Sequence, residues 1–387
     1  MQKKLIALAV AGLLSAPAFA QTNVTLYGTI DYGFASLGKH VNDNFNTRNG
    51  IDSGISKANR IGFKGVEDLG NGLKAVFVLE TGLNGDIAGM FNDTARQTYA
   101  GLAGGFGTVA FGRHYTPQHL FTSAVDPFGK NGLGSAGNVM MQERRLNNLA
   151  AYISPNWGGF SFIASYSFNG TEAFARQPVG GPATFGGGDE PASLDGNTRV
   201  QTWSISPSFT WNNLFVGANY HNAKVKKLAS GNSLNAVDMF GLYASYDFGF
   251  VKVGSALENR ISDKRAYEAL GWSTTGDVKL LQWMLGATFR ITPNDSILTS
   301  YTRARENVND KARIGQWAIG YEHALSKRTA LYAQFATQSW NDAARDVGFY
   351  SIRTDGPIGG VGISNLKSNA EIAGYRRGFA VGFRHDF

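Results

Sequence analysis

The chain of 387 residues is long enough for two or three soluble domains, but its composition is not that of an ordinary soluble protein. Glycine reaches 49 residues, charged residues stop at 17% against a usual ~25%, and aromatics reach 12%, a balance that excludes disorder. The formal charge of +7 is scattered along the chain, which argues against a nucleic-acid partner, and zero cysteines exclude a disulfide scaffold, a thiolate zinc site, an iron-sulfur cluster and a cysteine nucleophile.

In chain order, Lys3 and Lys4 precede an apolar run at 5–14 and the small-residue end Ala18, Phe19, Ala20. This pattern predicts a secretory signal peptide over 1–20, with cleavage at about Ala20, followed by a single mature unit at 21–387. Loss of the two lysines lowers the basic count from 36 to 34 against 29 acidic residues, so the charge falls from +7 to +5. No later window is apolar for the ~18 residues that a spanning helix requires. A transmembrane strand needs only ~9–11 residues, apolar at alternate positions.

Such alternation begins at once. Val24, Leu26, Gly28, Ile30, Tyr32 and Phe34 share one parity, and Thr25, Tyr27, Thr29, Asp31 and Gly33 share the other. Roughly sixteen segments repeat the pattern, near 24–36, 56–67, 72–82, 94–103, 106–114, 147–154, 159–168, 198–211, 213–224, 237–247, 250–259, 278–291, 296–305, 313–324, 329–340 and 376–387. Their links sort by length. Short ones lie at 69–71, 104–105, 155–158, 212, 248–249, 292–295 and 325–327; long ones lie at 37–55, 83–93, 115–146, 169–197, 225–236, 260–277, 306–312 and 341–375.

A soluble sandwich would not sort its loops between two ends. An all-β transmembrane antiparallel barrel of about 16 strands does, with short periplasmic turns and long external loops. At that strand number side chains no longer fill the interior, so the polar parity lines a water-filled channel for small hydrophilic solutes and inorganic ions. Aromatics at segment ends, including Trp157, Trp211, Tyr246 and Phe248, suit the interfacial girdles.

Longer stretches carry a resemblance. SKANRIGFKGVEDLGNGLKAVF at 56–77, RQTYAGL at 96–102, GGFGTV at 104–109, YISP at 152–155 and the ending GFRHDF at 382–387 resemble the general outer-membrane porins of neisserial and burkholderial type. The resemblance spans essentially the whole mature chain. It implies a sixteen-stranded barrel, a homotrimer, a Gram-negative outer-membrane location among lipid and lipopolysaccharide, and a third loop, here 115–146, folded into the lumen as a constriction. Enteric porins carry a more acidic third loop; this one offers Asp126 and Glu143 against Lys130, Arg144 and Arg145.

Parity places the opposing charges. Ile61 and Phe63 face out, so Arg60 and Lys64 face in; Leu73, Ala75, Phe77 and Leu79 face out, so Lys74 and Glu80 face in. Arg96 is expected inside on the parity of Thr98 and Ala100, opposite Tyr99. Arg113 shares the parity of Val109 and Phe111, so only a bulge or strand-end bend brings it in. By resemblance, Arg60, Arg96 and one of Arg144 or Arg145 match the arginine cluster of the family's eyelet. Rings of basic residues favour anions, so the expectation is passive diffusion with anion preference. The C-terminal Phe387 resembles the signal read by the barrel-assembly machinery.

The chain carries neither a Gly-x-Ser-x-Gly elbow nor a His-Glu-x-x-His motif, and His114 and His119 have no recognised ligand spacing, so neither an enzyme, a metal site nor a cofactor is expected. A substrate-specific channel, or an adhesin or receptor acting through the external loops, remains as an alternative.

Overall fold

The computed structural model describes residues 23–40, 48–86, 90–129, 132–140, 145–169, 198–227, 233–265, 277–306, 312–342 and 375–387. The signal segment, Lys130, Glu143 and Arg144 lie outside the described residues.

The strands are β1 (Asn23–His40), β2 (Arg48–Ser53), β3 (Arg60–Gly70), β4 (Leu73–Leu83), β5 (Phe91–Gly104), β6 (Gly107–Tyr115), β7 (Arg145–Ile153), β8 (Phe160–Ser167), β9 (Thr198–Trp211), β10 (Leu214–Lys227), β11 (Ser233–Asp247), β12 (Val251–Ser262), β13 (Val278–Arg290), β14 (Asp295–Glu306), β15 (Arg313–Ala324), β16 (Thr329–Trp340) and β17 (Tyr375–Asp386). They form one antiparallel sheet, and β17 pairs with both β16 and β1, which closes it. β2 and β3 lie end to end along the same side of β1, so the barrel has sixteen staves, the number that alternation gives. Closure leaves no unpaired edge, the condition for strands to cross a bilayer. No described helix is long and apolar enough to cross a membrane.

The outer face is exposed and apolar: Phe63, Leu79, Leu102, Phe111, Leu257, Leu285, Ile319, Leu331 and Phe383 stand on it, each flanked along its strand by inward neighbours. An apolar belt running round a closed sheet matches hydrocarbon and not water. Tight turns join the staves at one rim, where Asn71 and Asn212 adopt left-handed φ angles of 51° and 48°. Asn tolerates that region through its short polar side chain. The C-terminal residue completes the seam: the Gly28 and Phe387 backbones exchange hydrogen bonds of 3.0 and 3.2 Å. A Cβ at Gly28 would overlap the Phe387 ring, so the glycine makes room for it.

The link 37–55, expected as an external loop, instead contains the upper part of β1 and all of β2. Between β2 and β3 the stave breaks inward at 54–59. Gly54, at φ 71°, turns the chain, and buried Asp31 accepts the backbone N–H groups of Ser56 at 2.9 Å and Lys57 at 2.7 Å. The Gly, Ser and Asn content of this stretch, without alternation, hides the strand from pattern reading.

Candidate functional site

The third long loop enters the lumen. Thr116 caps helix α1 (Pro117–Val125), its hydroxyl accepting from the His119 N–H at 3.2 Å, and Pro117 sits in the first turn where its missing N–H costs nothing. Helix α1 lies against β9–β12. Its Phe121 packs edge-on against Phe215 and Tyr243, with ring centroids 5.6 Å apart in each pair, inside a cluster that includes Val125, Ala256 and Met284. Beneath the helix, fully buried Glu258 of β12 accepts from Gln118 at 2.9 Å, Thr122 at 3.1 Å, Tyr243 at 2.8 Å and Gln282 at 2.5 Å. A buried carboxylate needs such saturation, and here every donor but Tyr243 and Gln282 comes from the loop.

Inward glycines of the same wall mark the track of the loop. A Cβ at Gly254 would overlap the Val125 carbonyl; at Gly286 it would lie 2.6 Å from Pro127, at Gly320 2.9 Å from Phe128, and at Gly217 3.0 Å from Phe121. Wall side chains satisfy the loop backbone further on. The Leu133 N–H donates to Gln334 Oε1 at 2.8 Å, Gln316 donates to the Ser135 carbonyl at 3.1 Å, and Lys252 donates to the Ala124 carbonyl at 2.9 Å. Asp126, in the loop itself, accepts the N–H groups of Ala136 at 2.7 Å and Phe128 at 3.0 Å. Burial pushes its carboxyl up to about 7, against the opposing pull of those N–H groups.

The loop thus lies on β9–β17 and on the Ala35–Leu37 part of β1, and leaves β3–β6 facing the open lumen. There Glu80 of β4, its side chain 3% exposed, gathers the cations. Arg96 Nε lies 2.8 Å from one carboxylate oxygen, Arg60 Nε lies 3.7 Å from the other, and the Tyr27 hydroxyl donates to the carboxylate at 3.1 Å. Arg96 also donates to the Tyr115 hydroxyl at 3.0 Å, and the Arg145 guanidinium stands 4.9 Å over the Tyr115 ring and donates to its hydroxyl at 3.4 Å. Arg60, Arg96 and Arg145 against Glu80 leave an excess of two positive charges on one side of the lumen.

Arg96 reaches this place by a route other than the expected one. Thr98, Ala100 and Leu102 face outward on β5, so parity alone would turn Arg96 to lipid. The β4–β5 register shifts between Glu80 and Thr81, which pair with Gln97 and Ala95, and the extra residue Arg96 is thrown inward. Arg113 also sits at an irregularity: Gly112 at φ 137° precedes it, and the β6–β7 register shifts between Gly112 and His114. Its guanidinium is buried in the wall, donating to the Ala95 carbonyl at 2.7 Å and to Asn147 Oδ1 at 2.5 Å. Lys64 lies inward with its ammonium 5.6 Å from the Tyr27 ring centroid. Lys74 is not part of the group: it pairs with Asp68 beside the tight turn, six residues below Glu80 and roughly 20 Å away along the strand.

Sequence reading missed several inward cations, Lys57 and Arg384 among them. Each of these two is neutralised, Lys57 by Asp386 at 2.7 Å and Arg384 by Glu322 at 2.9 Å, while Arg384 also donates to Ser56 at 2.9 Å. The inward parity of Arg384 between Phe383 and His385 was available in the sequence; the inward turn that carries Lys57 was not.

A sixteen-stave barrel with an apolar exterior and a loop-narrowed, charged lumen is a transmembrane channel. The chain matches the Gram-negative porin family across residues 7–343 and belongs to it. It is 32% identical over 360 residues to outer membrane porin protein 32 of Delftia acidovorans, a match covering 89% of this chain and 91% of the relative. It is 30% identical over 337 residues to a major outer membrane protein P.IB of Neisseria gonorrhoeae, covering 78% and 92%. Among solved structures, the anion-selective porin from Comamonas acidovorans superposes with a TM-score of 0.69 at 25% identity, covering 95% of this chain and 100% of that one. The trimer form of OmpT of Vibrio cholerae gives 0.63 at 15% identity, over 95% and 99%. The protein is therefore an outer-membrane channel for passive diffusion, and its family is one of channels.

Proposed function

We propose that this channel favours small hydrophilic anions, and that Arg60, Arg96 and Arg145 are the residues that impose the preference. The observation that carries the reading is the convergence of three guanidiniums on Glu80 and Tyr115 opposite a loop whose one described carboxylate, Asp126, is turned into its own backbone. In a narrow aqueous passage with a low-dielectric wall, the field of these charges is focused along the permeation path. Glu80 orders the arginines without cancelling them. Arg113 braces the wall beside them and contributes field without contacting solute. Lys64, deeper in the lumen, extends the positive lining. The selectivity named for the Comamonas porin agrees with this reading.

Reversal potentials of the purified protein in a planar bilayer under a salt gradient test it. Anion permeability should exceed cation permeability, most at low salt where the Debye length reaches ~10 Å. Cation preference would reject the selectivity assignment and leave the channel standing.

The working unit is a homotrimer, and the chain reaches the outer membrane after loss of the leader at about Ala20. Phe387 serves the assembly machinery as the C-terminal signal while its ring fills the gap over Gly28. Deleting Phe387 should lower the yield of folded protein in outer-membrane fractions several-fold while leaving the conductance of the molecules that do assemble unchanged.

A further inference from the structure

Asp31 of β1 is fully buried on the lumen side of the seam, and a carboxylate in that position is costly unless its oxygens are engaged. The Tyr332 hydroxyl donates to one oxygen at 2.6 Å, and the other accepts the N–H groups of Ser56 at 2.9 Å and Lys57 at 2.7 Å. The backbone of Asp31 is engaged as well: its carbonyl accepts the Gly54 N–H at 2.8 Å, and its N–H donates to Asn59 Oδ1 at 2.7 Å. Four of these five bonds run to the inward segment 54–59, which lies over Asp31 as a strap.

The strap touches both walls of the lumen. On one side Ile55 is buried in a cluster with Leu37 and Tyr332 and with Phe128 and Leu133 of the third loop; a Cβ at Gly33 would lie 2.9 Å from Ile55 Cδ1. On the other side the Asn59 carbonyl accepts the Leu83 N–H at 3.1 Å, at the top of the strand that carries Glu80, and the next residue in the chain is Arg60. Arg60 Nε stands 3.7 Å from Glu80, where Arg96 Nε stands at 2.8 Å. At that separation no hydrogen bond fixes the Arg60 guanidinium to the carboxylate, so its place follows from where its backbone begins.

We propose that Asp31 is a positioning residue for selectivity: by holding the strap it sets Arg60 against the passage and seats Ile55 beneath the tip of the third loop, although it touches no solute itself. A lining charge focuses the field on the permeation path only while it is held there, and ordering a free backbone segment costs entropy that the bonds to Asp31 offset. The inference rests on the reading of Arg60 as a residue that imposes anion preference. It has an unusual sign. Asp31 is an anion in the lumen wall, yet its loss should weaken the preference for anions.

The test is the reversal potential at low salt of the purified full-length protein and of Asp31→Asn, Asp31→Ala and Tyr332→Phe. Asp31→Asn removes the charge and keeps an oxygen for the strap, so its anion preference should equal or exceed that of the wild type. Asp31→Ala removes the same charge together with the acceptor, and the anion-to-cation permeability ratio should fall by roughly threefold, where charge counting alone gives a rise. Tyr332→Phe takes a donor from the same carboxylate without touching the strap; it should lower thermal stability and leave the ratio unchanged. A ratio in Asp31→Ala that holds or rises as in Asp31→Asn would overturn the proposal. If Asp31→Ala does not assemble, Gly54→Val decides, since a β-branched residue does not accept φ 71° and no charge is altered: the ratio should fall, and an unchanged ratio would overturn the proposal. The chain has no cysteine, so Ile55→Cys supplies a single thiol. A water-soluble thiol reagent should modify it many times faster in the Asp31→Ala or Gly54→Val background than in the wild-type background, and equal rates would overturn the proposal. A wild type without anion preference would instead reject the reading of Arg60, while the labelling still judges the strap.

Discussion

The two halves of the lumen wall are built on opposite principles. From β9 to β17 many of the inward residues, glycines, the amides Gln316 and Gln334, Lys252 and the buried Glu258, are occupied in holding the third loop. On β1 to β7, Tyr27, Arg60, Arg96, Tyr115 and Arg145 gather around Glu80 and face the passage. In the proposed reading, one wall sets the size of the opening and the other sets its charge. The contrast gives several glycines a reason: Gly217, Gly254, Gly286 and Gly320 stand where the loop approaches the wall too closely for a Cβ.

The largest expected effect comes from breaking the holding wall. Glu258→Leu strips the acceptor from Gln118, Thr122, Tyr243 and Gln282, at roughly 1–3 kcal/mol for each donor left unpaired. Gly254→Leu attacks the same contact sterically, since its Cβ would overlap the Val125 carbonyl. Either change should release α1 from the wall, raising single-channel conductance and the size limit for sugars in liposome swelling while anion preference weakens only through the wider bore.

Breaking the charged wall should do the reverse. Arg96→Glu replaces the cation nearest Glu80, and the like-charge pair that results should move the permeability ratio toward cations by roughly tenfold, on a scale of ~1 kcal/mol per charge at ~4 Å in a water-like dielectric. Conductance should change less than it does in Glu258→Leu. Arg113→Met sharpens the distinction between lining and bracing. It removes the donor from the Ala95 carbonyl and Asn147, so thermal stability of the folded barrel should fall by about 1–3 kcal/mol, with a selectivity change smaller than that of Arg96→Glu.

The smallest effect is on pH. Because the packed loop holds the Asp126 carboxyl above its ordinary 3.8, at about 7, the packed state binds the proton more tightly than the released one. Its contribution to packing is complete below about 4 and is lost as pH rises through about 7. Single-channel recordings should therefore show more frequent high-conductance excursions on the alkaline side of that range, and Asp126→Asn should remove the pH dependence.

Much of this division could be read from the sequence because a dyad period is all that two-faced strands require. Arg60, Lys64 and Glu80 fell on the inward parity by counting alone, and so did Gln316 and the inward glycines Gly286 and Gly320. What counting could not supply were the points where the count is broken. One extra residue at the Glu80/Thr81 shift reverses the parity of Arg96 against Thr98, and a second irregularity at Gly112 carries Arg113 into the wall. Bulges change no composition and leave the flanking pattern intact, so they appear only when two strands are laid side by side. Lys74 shows the complementary error: correct parity, but at a height near the turn, which parity does not encode. The docking of the loop on Glu258 joins positions far apart in sequence, Gln118 and Glu258, with no local signal at either.

The most direct test of the division is the reversal potential of Arg60→Glu/Arg96→Glu measured at low salt beside that of Glu258→Leu. The double variant should turn from anion to cation preference, while Glu258→Leu should keep the sign of the wild type at higher conductance. A double variant that kept the wild-type anion preference would place the selectivity of the channel somewhere other than the wall around Glu80 and contradict the account.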